Sequence, residues 1–304
     1  MLPCRLLPDL WGFCGLRWDR FATNPLVRAE ILTSKDAMPE WIAIVILGVV
    51  EGITEFLPIS STGHLLLTQV LFSRWLPAQS DLFNVVIQSG AVIAVLPLFP
   101  DRLKQVCFGW RQRETQDFIA KIGVAFFITG VGGFLLEENG FTLPDTAGPI
   151  VAALLVGGVL FLGVEKWVAG RPMSSEITWK IAVLVGVGQL IAAVFPGASR
   201  SGTTILMALV LGLSRPAATE FSFLVGIPTM LAAGGYKILK ALTDSEAGAG
   251  GENWAMVVLG FLVSAVVSFA VVKWLLTYVQ THTFQVFGWY RIVLSLVILV
   301  FLVS

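Results

Sequence analysis

Two stretches of this chain place reactive side chains where they are costly to keep. The first, Glu51 to His64, reads EGITEFLPISSTGH and holds two carboxylates, four hydroxyls and one of the chain's two histidines. The second, Pro196 to Thr204, reads PGASRSGTT and carries an arginine in place of the acids. Both interrupt long apolar runs. A charge in hydrocarbon costs about 3 kcal/mol on insertion scales and marks a functional site by default. Glu51 and Glu55 are four residues apart and share one face of a helix. Two carboxylates that close in a low dielectric either share a proton as a structural pair or bind a cation. An all-oxygen ligand set suits Mg²⁺ or Ca²⁺. Ser60, Ser61 and Thr62 are ordinary capping hydroxyls when taken alone. With His64 immediately after them they become candidate phosphate ligands and nucleophiles, and His64 a candidate general acid, base or nucleophile. His282, in the polar turn THTFQ, reads as a loop residue.

Arg200 stands between Ser199 and Ser201 in a glycine-containing run. Its planar fork matches phosphate. The glycines let backbone N–H groups approach an anion, and the following helix offers its N-terminus. The spacing is not that of a GxxxxGK[ST] loop. Arg200 also suits a counter-charge role against Glu51 and Glu55, which requires the same proximity.

The bulk composition says where these motifs sit. The chain has 304 residues, 56% hydrophobic and 13% charged, with a mean hydropathy of +0.83. A soluble domain is about 25% charged. Apolar runs long enough to cross a bilayer recur along the chain, without the alternation of a membrane β-barrel. The expected class is therefore an all-α polytopic membrane protein. Its zero net charge gives no reason to expect nucleic acid. Cys4, Cys14 and Cys107 show no metal-binding spacing.

Residues 1–37 differ from the rest in composition, and Met38 reads as a natural start, so 1–37 is expected to be a poorly ordered extension. The alternative is an amphipathic anchor using Trp11 and Trp18. Apolar segments follow at 40–57, 62–75, 82–99, 117–135, 149–168, 177–195, 201–213, 219–240, 254–276 and 286–303. The second and seventh are short, and each follows a break, LPISSTG or FPGASRSG. Irregular backbone at membrane depth survives only inside protein or beside a water-filled cavity. The expectation is two re-entrant helical hairpins, 40–57 with 62–75 and 177–195 with 201–213, plus six spanning helices. Basic loops 100–121 and 166–180 face the cytoplasm and acidic loop 136–148 the outside by the positive-inside rule. The two hairpins then enter from opposite sides, as in an inverted repeat with halves 38–168 and 169–304. Aligning Gly63 on Gly202 also aligns Ser60 on Ser199, and places Asp81 and Glu220 at equal distance from their glycines. Such duplication points to a midplane site between the halves. The small-residue run 152–163 can pack a partner chain in a homo-oligomer or a neighbouring helix of the same chain.

EGITEFLPISSTGH and PGASRSGT, in this order, resemble the two signature motifs of the undecaprenyl-diphosphatase, or bacitracin-resistance, family. Further matching stretches are DLFNVVIQSGAVIAV and EFSFLVGIPTML. The likeness runs from about Met38 to the C-terminus. It implies an integral membrane phosphatase of the bacterial cytoplasmic (inner) membrane. Such an enzyme converts undecaprenyl diphosphate to undecaprenyl phosphate and inorganic phosphate, recycling the lipid carrier of cell-wall synthesis. The family's site opens to the periplasmic side and depends on a divalent cation. Its acidic motif falls on Glu51 and Glu55, its serine–histidine part on Ser60, Ser61, Thr62 and His64, and its arginine motif on Ser199, Arg200 and Ser201.

In the mechanism these residues suggest, Glu51 and Glu55 hold Mg²⁺ or Ca²⁺ against the diphosphate. Arg200, with Ser199, Ser201, Ser60 and Thr62, neutralises phosphate oxygens, the main work of phosphoryl transfer. Ser61 assisted by His64 attacks phosphorus, or His64 itself attacks or activates water. The rival class is a polyprenyl-phosphate flippase or proton-coupled transporter, for which inverted repeats and midplane charges are also typical.

Overall fold

The structure is a computed structural model that describes residues 38–71, 80–141, 147–243 and 253–303. The extension 1–37 lies outside the described residues. Eleven α-helices are present among those that are described: α1 Glu40–Thr54, α2 Ser61–Leu71, α3 Asp81–Val95, α4 Pro100–Phe108, α5 Arg113–Glu138, α6 Ala147–Val168, α7 Trp179–Val194, α8 Arg200–Val210, α9 Arg215–Thr243, α10 Trp254–Tyr278 and α11 Gln285–Val303. Each of the ten apolar segments expected from hydropathy contains a helix among the described residues, and the chain is an all-α polytopic membrane protein.

Four helices, α5, α6, α9 and α10, are long and apolar enough to cross a membrane by themselves. Their lipid-side faces are apolar, with Phe127, Phe134, Val266 and Leu262 exposed, an arrangement that only hydrocarbon or a partner protein tolerates. The segment expected at 82–99 runs through α3 and a 3₁₀ turn, Leu96–Leu98, and then turns by 82° into α4. Pro100 opens α4, where its missing N–H is no loss and its ring blocks continuation of the preceding helix. Sequence reading had left α4 as loop. It is a short helix with Arg102 and Lys104 on it and Phe108 almost fully exposed at its end, the composition of an interfacial helix. α11 is apolar but shorter than the four long spans.

Each short helix pair surrounds an irregular break: α1 and α2 flank Glu55–Ser60, α7 and α8 flank Phe195–Ser199. The breaks end alike. Ser60 has φ +73° and Ser199 φ +67°, the positive-φ non-glycine residues among those described. Each costs about 1–3 kcal/mol of backbone strain. Each also caps the helix it precedes: Ser199 Oγ accepts from Gly202 N at 3.2 Å, and Ser60 Oγ from Gly63 N at 3.4 Å. In the second break Gly197 takes φ +92° against the Ile150 backbone, where a Cβ would stand 2.6 Å from the Ile150 carbonyl oxygen. Glycine alone meets both demands.

The halves exchange partners. α10 packs on α1 and α3, while α5 packs on α7 and α9; α6 packs on α11, and α3 on α9. Swapping the first five major helices (α1, α2, α3, α5, α6) with the last five (α7 to α11) reproduces these pairings. The correspondence extends to single residues. A Cβ on Gly48 would meet Gly260 and Val263, and one on Gly186 would meet Ala125 and Ile128. Four residues further on, Gly52 faces Val267 whereas Leu190 faces Gly132. The large and small partners have traded helices while the contact is kept. In α6 the small residues Gly157 and Gly158 are used inside the chain, against Arg291 and the Gly288 carbonyl of α11.

Candidate active site

Glu55 stands where the first break begins, as the C-terminal cap of α1, its N–H bonded to the Glu51 carbonyl at 3.0 Å. Three donors converge on its carboxylate. Arg200 Nη2, from the N-terminus of α8, donates to Oε1 at 3.2 Å. Ser61 Oγ, at the start of α2, donates to Oε2 at 2.9 Å. Gln88 Nε2, from α3, reaches the same oxygen at 3.4 Å. The one carboxylate thus accepts from a guanidinium, a hydroxyl and an amide. The two motifs thus meet at one group, 145 residues apart in sequence.

Arg200 is half-buried and lies over Phe56, its Cζ 5.5 Å from the ring centroid, and directly on Gly226 of α9, where any Cβ would collide with its guanidinium. Its Nε and Nη1 are buried without a hydrogen-bond partner. Unsatisfied guanidinium donors in a dry site cost several kcal/mol, and they match the oxygens of a phosphate.

Glu51 is 2% exposed, and its Oε2 has no partner. In the other half the residue three after Gly186 is Gln189, as Glu51 is three after Gly48. Gln189 is also buried, but its amide donates to Thr129 Oγ1 at 2.9 Å and reaches Thr229 Oγ1 at 3.4 Å. One half therefore places a neutral amide here, its nitrogen tied and its Oε1 without a partner, and the other half an ionisable acid with a partnerless oxygen. Among the described residues no cluster of three or more His, Cys, Asp and Glu gathers. The protein alone does not build a full cation cage. The Glu51–Glu55 pair fits an ion such as Mg²⁺, which is commonly held by one or two carboxylates with substrate phosphates and water completing the shell.

The remaining candidates divide. His64 is fixed on both sides: Nδ1 lies 2.7 Å from the Ser60 carbonyl oxygen and Nε2 lies 2.7 Å from Tyr290 Oη, with the two rings stacked. A carbonyl can only accept, so Nδ1 carries the proton, and Nε2 of the neutral ring accepts from the Tyr290 hydroxyl. His64 is bonded to neither Ser61 nor Glu55. Ser201 is fully buried and donates to the Leu57 carbonyl at 3.1 Å, tying the second motif to the first break. Ser199 Oγ lies 3.1 Å from Ser201 Oγ. Ser60 is buried as a cap, and Thr62 is exposed at the tip. The structure thus brings Glu51, Glu55, Ser61 and Arg200 together, with His64 beside them on α2.

Sequence reading missed three participants: Gln88, Tyr290 and Arg291. Gln88 lies within DLFNVVIQSGAVIAV, which had been noticed only as a matching stretch. Arg291 was detectable, because it is a charge inside an apolar run, the same signal that exposed Glu51.

Comparison with known proteins places the chain in a family. The family model described as "Bacitracin resistance protein BacA" matches residues 44–297. A Rhizobium etli protein named undecaprenyl-diphosphatase is 50% identical over 261 residues, covering 86% of this chain and 96% of that protein. A protein of the same name from Xanthomonas axonopodis pv. citri is 46% identical over 266 residues, covering 87% of this chain and 98% of that one. Both breaks, Glu51, Glu55, Ser61, His64 and Arg200 all fall within the matched range. The chain belongs to the bacitracin resistance protein BacA family.

Proposed function

We propose that this chain is an undecaprenyl-diphosphate phosphatase: it hydrolyses undecaprenyl diphosphate to undecaprenyl phosphate and inorganic phosphate and so confers bacitracin resistance. The observation that carries this reading is the single carboxylate of Glu55, shared between a hydroxyl nucleophile, Ser61, and an anion-binding arginine, Arg200. Ser61 Oγ attacks the terminal phosphorus as its proton passes to Glu55 Oε2. The Oγ–P bond forms, the bridging P–O bond breaks, and undecaprenyl phosphate leaves. Arg200, through its partnerless Nε and Nη1, takes the charge that builds on the terminal phosphoryl oxygens. Glu55 passes the Ser61 proton to the departing undecaprenyl phosphate. Water then attacks the phosphoserine as its proton goes to Glu55, the Oγ–P bond breaks, the proton returns to Ser61 Oγ, and inorganic phosphate is released. Glu51 and Glu55 would hold Mg²⁺ or Ca²⁺ beside the diphosphate, and such an ion supplies neutralisation of phosphate charge. His64 is the second candidate nucleophile; its engagement by Ser60 and Tyr290 favours an orienting role.

The protein sits in the bacterial inner membrane as six spanning helices (α3, α5, α6, α9, α10, α11) and two re-entrant hairpins in an inverted repeat, its site open to the periplasm. The exchange of partners between α5 and α10 supports the repeat. The same exchange would suit a polyprenyl-phosphate flippase or proton-coupled transporter, so the test must separate the two. Purified protein in detergent, with no membrane and no gradient, is expected to release phosphate from undecaprenyl diphosphate, and Arg200→Ala is expected to abolish release. Gradient-dependent uptake by vesicles without hydrolysis would overturn the enzyme reading. Rapid acid quench is expected to trap acid-stable phosphoserine; acid-labile phosphohistidine would move the nucleophile to His64.

A further inference from the structure

Arg291 on α11 is 0% exposed and has no ion-pair partner among the described residues. A buried cation without a counter-ion is expensive, so its remaining contacts must explain why it is kept. Its guanidinium lies 6.0 Å from the Phe161 ring centroid, and its hydrogen bonds all go to backbone carbonyls. Nη1 donates to Pro58 O at 3.3 Å. Nη2 lies 3.0 Å from both Gly197 O and Ala198 O and 3.1 Å from Ala153 O. Nε reaches Leu154 O at 3.4 Å. Pro58 belongs to the first break and Gly197 and Ala198 to the second, while Ala153 and Leu154 lie on α6.

These carbonyls share a cause. A helix break frees backbone groups that nothing in hydrocarbon can satisfy, and each left unpaired costs several kcal/mol. One guanidinium offers five N–H donors in a rigid fan, and here that fan spans both breaks at once. Room for it is reserved: a Cβ on Gly157 would collide with its Nη2 and Cζ, and one on Gly202 would stand 3.1 Å from its Nη1. Pro58 lies three residues before Ser61, and Ala198 two before Arg200.

We infer that Arg291 is a positioning residue that pins the two breaks to each other and so sets the register between Ser61–Glu55 on one and Arg200 on the other. Lysine cannot replace it, because a single ammonium cannot reach carbonyls that diverge across three segments. This inference rests on the phosphatase reading, and the experiment keeps the two apart.

The test uses the full chain in detergent with undecaprenyl diphosphate, comparing wild type, Arg291→Lys and Gly157→Ala. The glycine variant displaces the guanidinium without removing its charge and guards against Arg291→Lys failing to fold. A displacement of about 1 Å in a catalytic constellation costs on the order of a hundredfold. The expected result is kcat down about a hundredfold in Arg291→Lys and about tenfold in Gly157→Ala, with KM within about threefold of wild type. Backbone hydrogen exchange supplies the readout that general destabilisation would not give. It should quicken in residues 56–63 and 196–203 of both variants while α5 and α10 keep wild-type protection. Unchanged kcat with unchanged exchange in both breaks would overturn the inference. So would exchange that quickens uniformly over all helices, which makes Arg291 a general stability element. Wild-type protein that releases no phosphate would instead overturn the phosphatase reading, and the exchange comparison would still judge the pin.

Discussion

Ser61 Oγ donates to Glu55 Oε2 at 2.9 Å, while Arg200 Nη2 donates to the other oxygen of the same carboxylate at 3.2 Å. The Ser61 hydroxyl is therefore bonded to the carboxylate of Glu55 and not to His64. Glu55→Gln keeps the shape and one acceptor oxygen but cannot take a proton. Its phosphate release is expected to fall by about a thousandfold, the scale of a lost general base. His64→Ala is expected to lose only about tenfold, since it removes an orienting contact from the tip of α2. Steady-state phosphate release by the two variants side by side checks this. Equal, deep losses would mean that the proton path runs through the imidazole.

Two Arg200 donors, Nε and Nη1, are buried without a hydrogen-bond partner. Arg200→Lys keeps the charge and loses the fork, so a drop of about a hundredfold in kcat/KM is expected, the scale seen when one transition-state donor is removed. Gly226→Ala is the companion, because its Cβ would occupy the place of the Arg200 guanidinium. An intermediate loss with an intact arginine would show that the position of the fork matters, not its charge alone.

The placement of the helices was readable because burial in hydrocarbon leaves little freedom. Every apolar run had to be a helix, and both breaks announced themselves through proline, glycine and serine. α4 was hidden because the apolar run ends at Phe99 and the charged PDRLKQ that follows reads as a basic loop. The meeting of Glu55 with Arg200 followed from the cost of buried charge. Which hydroxyl or imidazole would face Glu55 did not. That depends on the positive φ of Ser60 at the start of α2, which no periodicity encodes. Arg291 was missed for a different reason: its partners are carbonyls of distant segments, so no second motif in the sequence pointed to it.

Glu51 carries a buried carboxylate oxygen without a partner; the equivalent Gln189 also has a partnerless Oε1 but is a neutral amide tied through its nitrogen to Thr129, so acidity is what sets Glu51 apart. Removing divalent ions with a chelator is expected to stop phosphate release, and Mg²⁺ or Ca²⁺ to restore it. Glu51→Gln is expected to raise the cation concentration for half-maximal rate by about tenfold or more, the scale for losing a group that supports a metal site. Calorimetric titration of Mg²⁺ into the protein with a bound non-hydrolysable diphosphate gives the same comparison without turnover. Identical cation affinity in the two proteins would remove Glu51 from the ion site.

The exchanged packing of the halves makes a prediction about stability. At Gly52 an added Cβ would stand 2.7 Å from the Ser264 carbonyl oxygen and 2.9 Å from Val267 Cβ, so backbone must move. At Gly132 it would meet only the branched end of Leu190, which can turn aside. At Gly133 it would meet nothing. Overpacking a close helix contact costs about 1–3 kcal/mol, whereas Gly to Ala in an open helix position gains up to about 1 kcal/mol. Gly52→Ala is therefore expected to lower the Tm in detergent clearly, Gly132→Ala slightly, and Gly133→Ala not at all. The order matters more than the sizes. Gly52 lies one residue from Glu51, so a Gly52→Ala protein that keeps its Tm would mean α1 and α10 are not held at the distance that buries that carboxylate.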